Sequence, residues 1–421
     1  AKSLVERGLA YPCFCTEEEL DKVRAKQEED KVLTGYYGEY ATCRNLSYEE
    51  VEANIKAGKP YVLRLRSQGS PDKEITFVDA IKGEIKLPEN IHDIVLLKKD
   101  GIPTYHFAHA IDDHLMRTTT VVRGGEWLAS APIHYELFHL LGFKMPAYAH
   151  TAHLMKFDEE TGGKRKLSKR KDPELSLDYY RKDGYHPYTM KVYLLTLLNS
   201  NFEEWHEKFP DKDINEFPFS VEKMNQSGAL FDKDKLHNIC KNELSKLSEE
   251  ELYDFLYDWA KENEPENVEK WFGDREKMLQ ILRLYMGVGA KRRRKDLMYA
   301  KQIFELISYF FDGESAEEMD EFKLDEDMVS KILKSYLAKY DHNDDNSVWF
   351  NKLKEIADEH GFASDMKAYK ANPENFKGNV SDIAEAVRIA VTGRANTPDL
   401  WTIVHIMGEE QMTERIKKHI K

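Results

Sequence analysis

The sequence lacks the features that mark membrane proteins and secreted disulfide-rich proteins. It contains no run of about 18 apolar residues, so we predict no membrane-spanning helix and no membrane partner. Its opening segment, AKSLVERGLAYPCF, has no uninterrupted apolar stretch of the signal-peptide kind. Only 4 of the 421 residues are cysteine, which is too few for a disulfide scaffold. These absences favour a reducing, cytoplasmic compartment.

The composition is that of a folded, helix-rich globular protein. With 41% hydrophobic and 33% charged residues spread along the chain, roughly two to four domains are expected. The net charge of −14 argues against indiscriminate binding to polyanions. Two basic segments nevertheless stand out, residues 164–171 and residues 291–295 (KRRRK). For the second segment, a solvated surface and contact with RNA phosphates are both consistent with the pattern.

Local patterns predict an α/β first part and a helical last part. Three Ser/Thr-x-x-Glu segments resemble capping boxes at helix starts, and they begin at Thr16, Ser47 and Ser248. Strands are predicted at 61–66, 75–78, 94–98 and 119–123. The last strand runs into two glycines and a helix, a crossover pattern in which ligands lie at the carboxyl ends of strands. From about residue 245 onward, the apolar spacing is helical.

The sharpest chemical signal is the segment GKRKLSKRKDP, residues 163–173. A loop that concentrates mobile positive charge beside glycines suits a polyphosphate, because lysine ammonium groups can follow charge onto a leaving pyrophosphate. The same run is also consistent with an RNA-backbone patch or a nuclear-import-like signal.

A second signal covers residues 105–116 (YHFAHAIDDHLM) and 123–127 (RGGEW). The paired Asp112 and Asp113 beside a histidine invite a metal interpretation. We favour a helix start or tight turn in which these carboxylates cap backbone N–H groups. Arg123 differs, because a guanidinium at a strand end can bind a substrate carboxylate through two parallel hydrogen bonds.

Together these segments resemble the glutamyl-tRNA synthetases, a class I family with a Rossmann catalytic core. KLSKR (166–170) resembles that family's KMSKS loop, and residues 101–116 and 118–134 resemble the surroundings of its glutamate and ATP pockets. ALFDKDKL (229–236) resembles the helix entry after the catalytic core, and residues 391–408 resemble the end of the anticodon-binding region. These matches occur along the chain in the family's order, which makes coincidence a poor explanation.

The resemblance implies an α/β plus all-α fold. The expected architecture is a partial Rossmann-type class I core with an α/β acceptor-stem insertion and C-terminal helical anticodon-binding bundles. The expected segments are an acceptor-stem-binding insertion at 1–108, the second half of the Rossmann core at 109–160, the KMSKS loop and stem-contact region at 161–272, and helical bundles at 273–345 and 346–421.

The implied reaction is the ATP-dependent ligation of L-glutamate to tRNA(Glu) through glutamyl-adenylate. ATP and Mg²⁺ are the implied cofactors, and the expected oligomeric state is a monomer. The implied catalytic residues are Lys166, Ser168 and Lys169, and the implied ATP-binding residues are Glu126, Trp127, Leu154 and Lys169. The implied glutamate-binding residues are Tyr105, His109 and Arg123, and the implied tRNA-binding residues are Lys291, Arg292, Arg293 and Arg294.

Three departures from the family pattern qualify this expectation. The HIGH motif is absent from these residues, so we expect an N-terminal segment to be missing and the chain to be inactive alone. His109 replaces an Asn of some members, which makes its contact with substrate doubtful. Ser308 stands where some members carry an arginine before an aromatic segment, which leaves discrimination between glutamate and glutamine tRNAs open. Two rival interpretations remain. One is a sister enzyme, either a glutaminyl-tRNA synthetase or a synthetase of the glutamyl-queuosine type, and the other is a tRNA-binding scaffold without catalytic activity.

Three of the cysteines call for a separate interpretation. Cys13, Cys15 and Cys43 resemble a zinc site of some family members, but the nearby histidine of that site is replaced by Asn45. A tyrosine from 36, 37 or 40 would be a weak fourth ligand, and zinc prefers four. Reduced, partly buried thiols are the favoured interpretation, so no metal is predicted.

Overall fold

The computed structural model describes residues 1–158, 160–226, 228–311 and 319–421. These residues form two compact units, which we call the first unit (1–167 with 195–231) and the second unit (168–194 with 232–421). None of the helices in these ranges is long and apolar enough to cross a lipid bilayer.

The strands of the described residues all belong to the first unit. They are β1 Ala10–Cys13, β2 Val62–Leu65, β3 Glu74–Asp79, β4 Gly83–Pro88, β5 Val95–Leu97, β6 Thr120–Gly124, β7 Ala147–Thr151, β8 Leu154–Phe157, β9 Lys164–Lys166 and β10 Ala229–Leu230. They form three sheets with the orders β1-β2-β5, β4-β3-β7-β6 and β10-β8-β9.

The four-stranded sheet positions the candidate site. Strands β3, β7 and β6 run parallel, and β4 adds an antiparallel edge. Along β3 buried and exposed residues alternate, because one face of the strand packs on the core. Ile75 and Phe77 of β3 pack with Tyr148 of β7. The carboxyl ends of the three parallel strands therefore meet at one edge.

The first unit also contains α1 Lys2–Glu6, α2 Glu17–Glu29, α3 Tyr48–Lys56, α4 Tyr105–Leu115, α5 Ala131–Leu141 and α8 Phe202–Lys208. Helices α4 and α5 contribute Phe107, Ala110, Leu137 and Phe138 to a core shared with the β1-β2-β5 sheet. Helix α7, Pro187–Leu198, contains the point where the chain passes from the second unit back to the first.

The second unit is helical throughout its described residues. Its helices are α6 Leu177–Asp183, α9 Lys233–Leu244, α10 Glu249–Asn263, α11 Val268–Phe272, α12 Arg275–Met286, α13 Ala300–Ile307, α14 Glu326–Lys339, α15 Asn346–His360, α16 Met366–Ala371, α17 Val380–Thr392, α18 Leu400–Met407 and α19 Glu409–Lys417. Apolar residues of α9 to α15 and of α17 to α19 form one continuous core, which includes Trp259, Ile303, Leu333 and Val387.

The fold class expected from the sequence is confirmed, and most local predictions hold. The three capping boxes are present, each with both reciprocal hydrogen bonds. The predicted strands appear as β2, β3, β5 and β6, whereas the other strands, β1, β4 and β7 to β10, were not predicted. The interpretation of Asp112 and Asp113 as caps at a helix start or tight turn is wrong. Both lie in the last turns of α4, where the Asp113 carboxylate contacts His109 one turn earlier.

Candidate functional site

The carboxyl ends of β6 and β7 form the centre of the candidate site. The two parallel strands pair so that Arg123 lies opposite His150 and Gly124 opposite Thr151. In open α/β sheets, ligands bind in the crevice beyond the carboxyl ends of parallel strands. Arg123 therefore lies at the sheet edge where a ligand is expected.

The guanidinium group of Arg123 is held by neutral acceptors. Its Nε donates to His150 Nε2 at 2.9 Å. One terminal nitrogen lies 3.1 Å from His134 Nδ1, and the other donates to the Trp127 carbonyl oxygen at 3.3 Å. Its central carbon lies 4.6 Å from the centroid of the Tyr148 ring. Among the described residues, no carboxylate forms an ion pair with Arg123.

Burial keeps the imidazoles around Arg123 neutral. It lowers the pKa of the fully buried His134 to about 2, with a smaller contribution from the positive charge of Arg123. Burial also lowers the pKa of His106, His109 and His150. Neutral imidazole nitrogens accept hydrogen bonds from a guanidinium without cancelling its charge. Among the described residues the Arg123 guanidinium is thus hydrogen-bonded but not ion-paired, so its charge is available to pair with an anionic ligand.

Helix α4 contributes two aromatic residues beside Arg123. The exposed Tyr105 ring stacks on His109, with centroids 5.9 Å apart and an interplanar angle of 12°, and lies 4.7 Å from the Trp127 ring. His109 Nε2 is 2.8 Å from the Tyr148 hydroxyl, and its Nδ1 is 2.9 Å from an Asp113 carboxylate oxygen. Both ring nitrogens of His109 thus have protein partners, whereas Tyr105 is open to a ligand.

The Gly124-Gly125 turn brings several predicted ATP-binding residues together. A Cβ on Gly124 would lie 2.1 Å from a Glu126 carboxylate oxygen, so a larger residue at this position would displace the Glu126 side chain. Glu126 forms an ion pair of 3.5 Å with Lys166, and its carboxylate also lies 3.5 Å from the ring of His153, the residue that precedes Leu154 at the start of β8. Trp127 continues the same turn as a 3-10 segment.

The predicted catalytic loop is divided between the units. Lys166 ends β9 in the first unit, where Glu126 is its partner. Ser168 and Lys169 belong to the second unit. There the buried Asp172 accepts a hydrogen bond of 2.8 Å from the Ser168 backbone N–H, which closes a tight loop. Lys169 lies in this loop with its side chain exposed.

The basic segment 291–295 lies between α12 and α13 in the second unit. Lys295 donates to Asn242 at 2.7 Å, and Arg294 pairs with Asp296 at 2.6 Å. Arg292 and Arg293 form no ion pair with the described residues. Arg292 and Arg294 line a groove of about 710 Å³ together with residues of α12 and α18. The segment is therefore an open cationic surface.

The three cysteines Cys13, Cys15 and Cys43 lie together in the first unit. Their sulfur atoms all lie within 4.8 Å of one another, and Cys15 Sγ is 3.5 Å from Cys43 Sγ. The buried Tyr36 hydroxyl is 3.4 Å from Cys13 Sγ and 3.3 Å from Cys15 Sγ. A tetrahedral zinc with bonds of about 2.3 Å needs sulfurs about 3.8 Å apart. The three sulfur atoms are thus close enough together for one metal ion to contact all of them, and the Tyr36 hydroxyl lies beside two of them.

Sequence reasoning missed several residues that shape the site. His134, Tyr148 and the fully buried His150 surround Arg123, and Asp79 hydrogen-bonds His150 Nδ1 at 2.6 Å. A usable signal was present, because Asp79 and His150 both stand at or near the ends of strands. Nothing in the local sequence indicated which strands would be neighbours.

Comparison with known proteins identifies the family. The family model described as tRNA synthetases class I (E and Q), catalytic domain, matches residues 1–238, which is more than half of the chain. The chain belongs to this class I tRNA synthetase family. A second model, described as an anticodon binding domain, matches residues 251–420 of this synthetase.

Similar proteins cover the whole synthetase chain. It is 53% identical over 420 residues to a glutamate–tRNA ligase of Acetivibrio thermocellus, with 99% of this chain and 76% of that protein covered. A glutamate–tRNA ligase of Clostridium perfringens is 46% identical over 424 residues, with 100% of this chain and 76% of that protein covered. A crystal structure of a glutamate tRNA ligase from Elizabethkingia meningosepticum, in complex with its amino acid, matches with a TM-score of 0.74 and 25% identity, and covers 99% of this chain and 80% of that chain.

Proposed function

We propose that the protein ligates L-glutamate to tRNA(Glu) in two steps. An oxygen of the glutamate α-carboxylate attacks the α-phosphorus of ATP and pyrophosphate leaves, which gives glutamyl-adenylate. A hydroxyl of the terminal tRNA ribose then attacks the acyl carbon, and AMP leaves. The reaction forms no covalent bond to the enzyme, so positioning and electrostatics lower the barrier. None of the four cysteines, all of which lie in the described part of the chain, forms a disulfide, and this is compatible with the cytoplasm as the site of action.

The observation that carries this proposal is that the Arg123 guanidinium has no ion-pair partner in the part of the chain that the structure describes. Three protein acceptors fix its plane, yet none of them is an anion. An acidic side chain of the substrate would supply the missing charge through a charge-assisted pair. The amide of glutamine would instead turn an N–H₂ donor toward a group that offers donors alone. Arg123, with Tyr105 beside it, therefore favours glutamate.

We assign ATP binding to the residues at the Gly124-Gly125 turn and to Lys169. The Glu126 carboxylate fills the space beside Gly124, and Glu126 and Trp127, which follow the two glycines, are proposed to contact the ATP. Among the described residues, the group close enough to hold a metal consists of cysteines, so Mg²⁺ is proposed to arrive with the ATP phosphates. When bound, Mg²⁺ neutralises phosphate charge. The ammonium group of Lys169 is proposed to stabilise the leaving pyrophosphate.

Pyrophosphate exchange tests this function. The full-length protein is assayed with ATP, labelled pyrophosphate and tRNA, in the presence of glutamate or of glutamine. Exchange that depends on glutamate is the expected result. Exchange that occurs only with glutamine would indicate a glutaminyl-tRNA synthetase. Binding of tRNA without any exchange would support the interpretation as a non-catalytic scaffold.

The second unit is proposed to bind the tRNA anticodon region. The match of residues 251–420 to an anticodon binding domain supports this role. It is also compatible with the proposed division into bundles at 273–345 and 346–421. Within this unit, Lys291, Arg292, Arg293 and Arg294 are proposed to contact RNA phosphates.

Neutralising two arginines of this segment tests the phosphate contacts. We expect Arg292→Gln/Arg293→Gln to flatten the log–log dependence of tRNA affinity on salt, by roughly 0.7 to 0.9 for each phosphate that the protein no longer neutralises. The measurement is a tRNA-binding titration at several salt concentrations. Lys367→Gln/Lys370→Gln, which removes the same charge from α16, is the matched control. A slope equal to that of the wild type would refute the contacts.

We also propose that the cysteine cluster holds structural zinc, in place of the metal-free thiols expected from the sequence. The proposal rests on the convergence of three sulfurs with the Tyr36 hydroxyl, which makes four donors. Zinc is expected at about one equivalent in the purified protein. Cys15→Ser and Cys43→Ser are expected to lose it, whereas Cys240→Ser is expected to keep it because Cys240 lies outside the cluster. Metal analysis that finds no zinc in the wild type would contradict the proposal.

A further inference from the structure

We propose that Asp79 and His150 are positioning residues that fix the orientation of the Arg123 guanidinium, and thereby set the preference for glutamate over glutamine. The inference rests on the proposed function. It concerns a relay of three side chains from three neighbouring parallel strands, β3, β7 and β6. Neither Asp79 nor His150 is available to touch substrate, because Asp79 is 1% exposed and His150 is fully buried.

The Asp79 carboxylate is anchored from several directions. One oxygen accepts from the backbone N–H groups of Ile81 and Lys82, at 3.0 and 2.9 Å. The other lies 2.6 Å from His150 Nδ1 and accepts from the His150 backbone N–H at 3.1 Å. Burial raises the pKa of Asp79, but the hydrogen bonds from His150, Lys82 and Ile81 outweigh it and hold this pKa below its usual value. Asp79 is therefore an anion at neutral pH.

An anionic Asp79 determines which nitrogen of His150 carries the proton. Because burial lowers the pKa of His150, the ring is neutral and has a single N–H. The carboxylate can only accept, so that N–H lies at Nδ1. Nε2 is then left with its lone pair directed at the Nε–H of Arg123, 2.9 Å away. Because His150 donates to Asp79, it must accept from Arg123, so the first hydrogen bond sets the direction of the second.

The hydrogen bond to Nε restricts rotation of the guanidinium plane. One terminal nitrogen of the guanidinium bonds to His134, and the other bonds to the Trp127 carbonyl oxygen. The N–H group that remains on each terminal nitrogen therefore points in a fixed direction. Such a fork matches a carboxylate, whose two oxygens both accept, better than an amide. If the plane could turn, a glutamine amide oxygen would find a single donor more easily, and discrimination would fall.

Asp79→Asn should reverse the direction of the hydrogen bond between residue 79 and His150, and it conserves the shape of the side chain. The asparagine oxygen can still accept from Ile81 and Lys82, but its N–H₂ group donates to His150 Nδ1. The ring proton then moves to Nε2, where it opposes the Nε–H of Arg123. In the full-length protein, we expect KM for glutamate to rise about 10- to 100-fold and KM for ATP to stay within about twofold. The ratio of kcat/KM for glutamate over glutamine should fall about tenfold or more.

A double-substitution cycle tests whether Asp79 acts through His150. In a His150→Ala background, Asp79→Asn should change KM for glutamate less than about twofold, because the relay is already broken. His150→Gln, whose amide oxygen can accept from Arg123 in place of Nε2, should keep a lower KM than His150→Ala. This comparison needs no change at Asp79, so it remains decisive if Asp79→Asn fails to fold.

Three results would overturn the inference. They are an unchanged KM for glutamate in Asp79→Asn, additive effects in the cycle, and equal KM values for His150→Gln and His150→Ala. A failure of the proposed function looks different, because the wild-type protein itself would then show no glutamate-dependent exchange.

Discussion

Arg123→Met is expected to lower kcat/KM for glutamate by a factor of roughly 30 to 4,000. Methionine has a similar length but no donor, so the substrate carboxylate would enter a half-buried site without a partner. Truncating one member of a desolvated, hydrogen-bonded charge pair costs about 2 to 5 kcal/mol, which corresponds to that range. The measurement is aminoacylation by the full-length protein over a wide range of glutamate concentrations.

Arg123→Lys is the matched control for charge. It conserves the positive charge but loses the planar fork and the three neutral acceptors that orient it. Its loss of kcat/KM should therefore lie between that of the wild type and that of Arg123→Met. KM for ATP should change little in both variants. An Arg123→Met enzyme within about threefold of the wild type would remove Arg123 from the glutamate site.

The features that were predicted correctly depend on short stretches of sequence. A capping box needs a hydroxyl and a carboxylate three residues apart, and the boxes at Thr16, Ser47 and Ser248 all formed. Arg123 was placed at a strand end because a β-branched run stops at two glycines. Such signals are local, so they are visible without any knowledge of which segments pack together.

The environment of Arg123 could not be predicted, because it depends on strand pairing. Asp79 and His150 are 71 residues apart and meet through the parallel neighbours β3 and β7. Periodicity reports which residues are buried, but it does not report which strand lies next to which. The candidate cysteine site shows the same limit. Tyr36 joins it, whereas Tyr37 and Tyr40 bond to Leu33 and Asp30.

The wrong interpretation of Asp112 and Asp113 also has a physical explanation. The prediction used their preference for caps and turns, but nothing at these positions ends the helix. Phe107 and Ala110 are buried on one face of α4, and this packing continues the helix to Leu115. The helix stops just before Arg117, which has a φ of 59°. Tertiary packing therefore outweighed the local propensity.

Lys169→Ala is expected to lower the rate of glutamyl-adenylate formation by about 10²- to 10³-fold, with smaller changes in KM for ATP and glutamate. The reason is that negative charge accumulates on the leaving pyrophosphate in the transition state, so an ammonium group that meets it acts mainly there. Single-turnover formation of the adenylate, measured by rapid quench in the full-length protein with tRNA, reports this step directly.

Lys171→Ala is the matched control, because it removes the same charge from the same exposed loop. The loop is closed by the Asp172 carboxylate and the Ser168 backbone, which neither substitution removes. If the effect were general attraction of the loop for phosphates, both variants would raise KM for ATP by similar amounts and leave the rate of the chemical step unchanged. If the rate falls for Lys169→Ala alone, the Lys169 ammonium group must lie where negative charge develops on the pyrophosphate. Equal rates in the two variants would therefore contradict a specific role for Lys169.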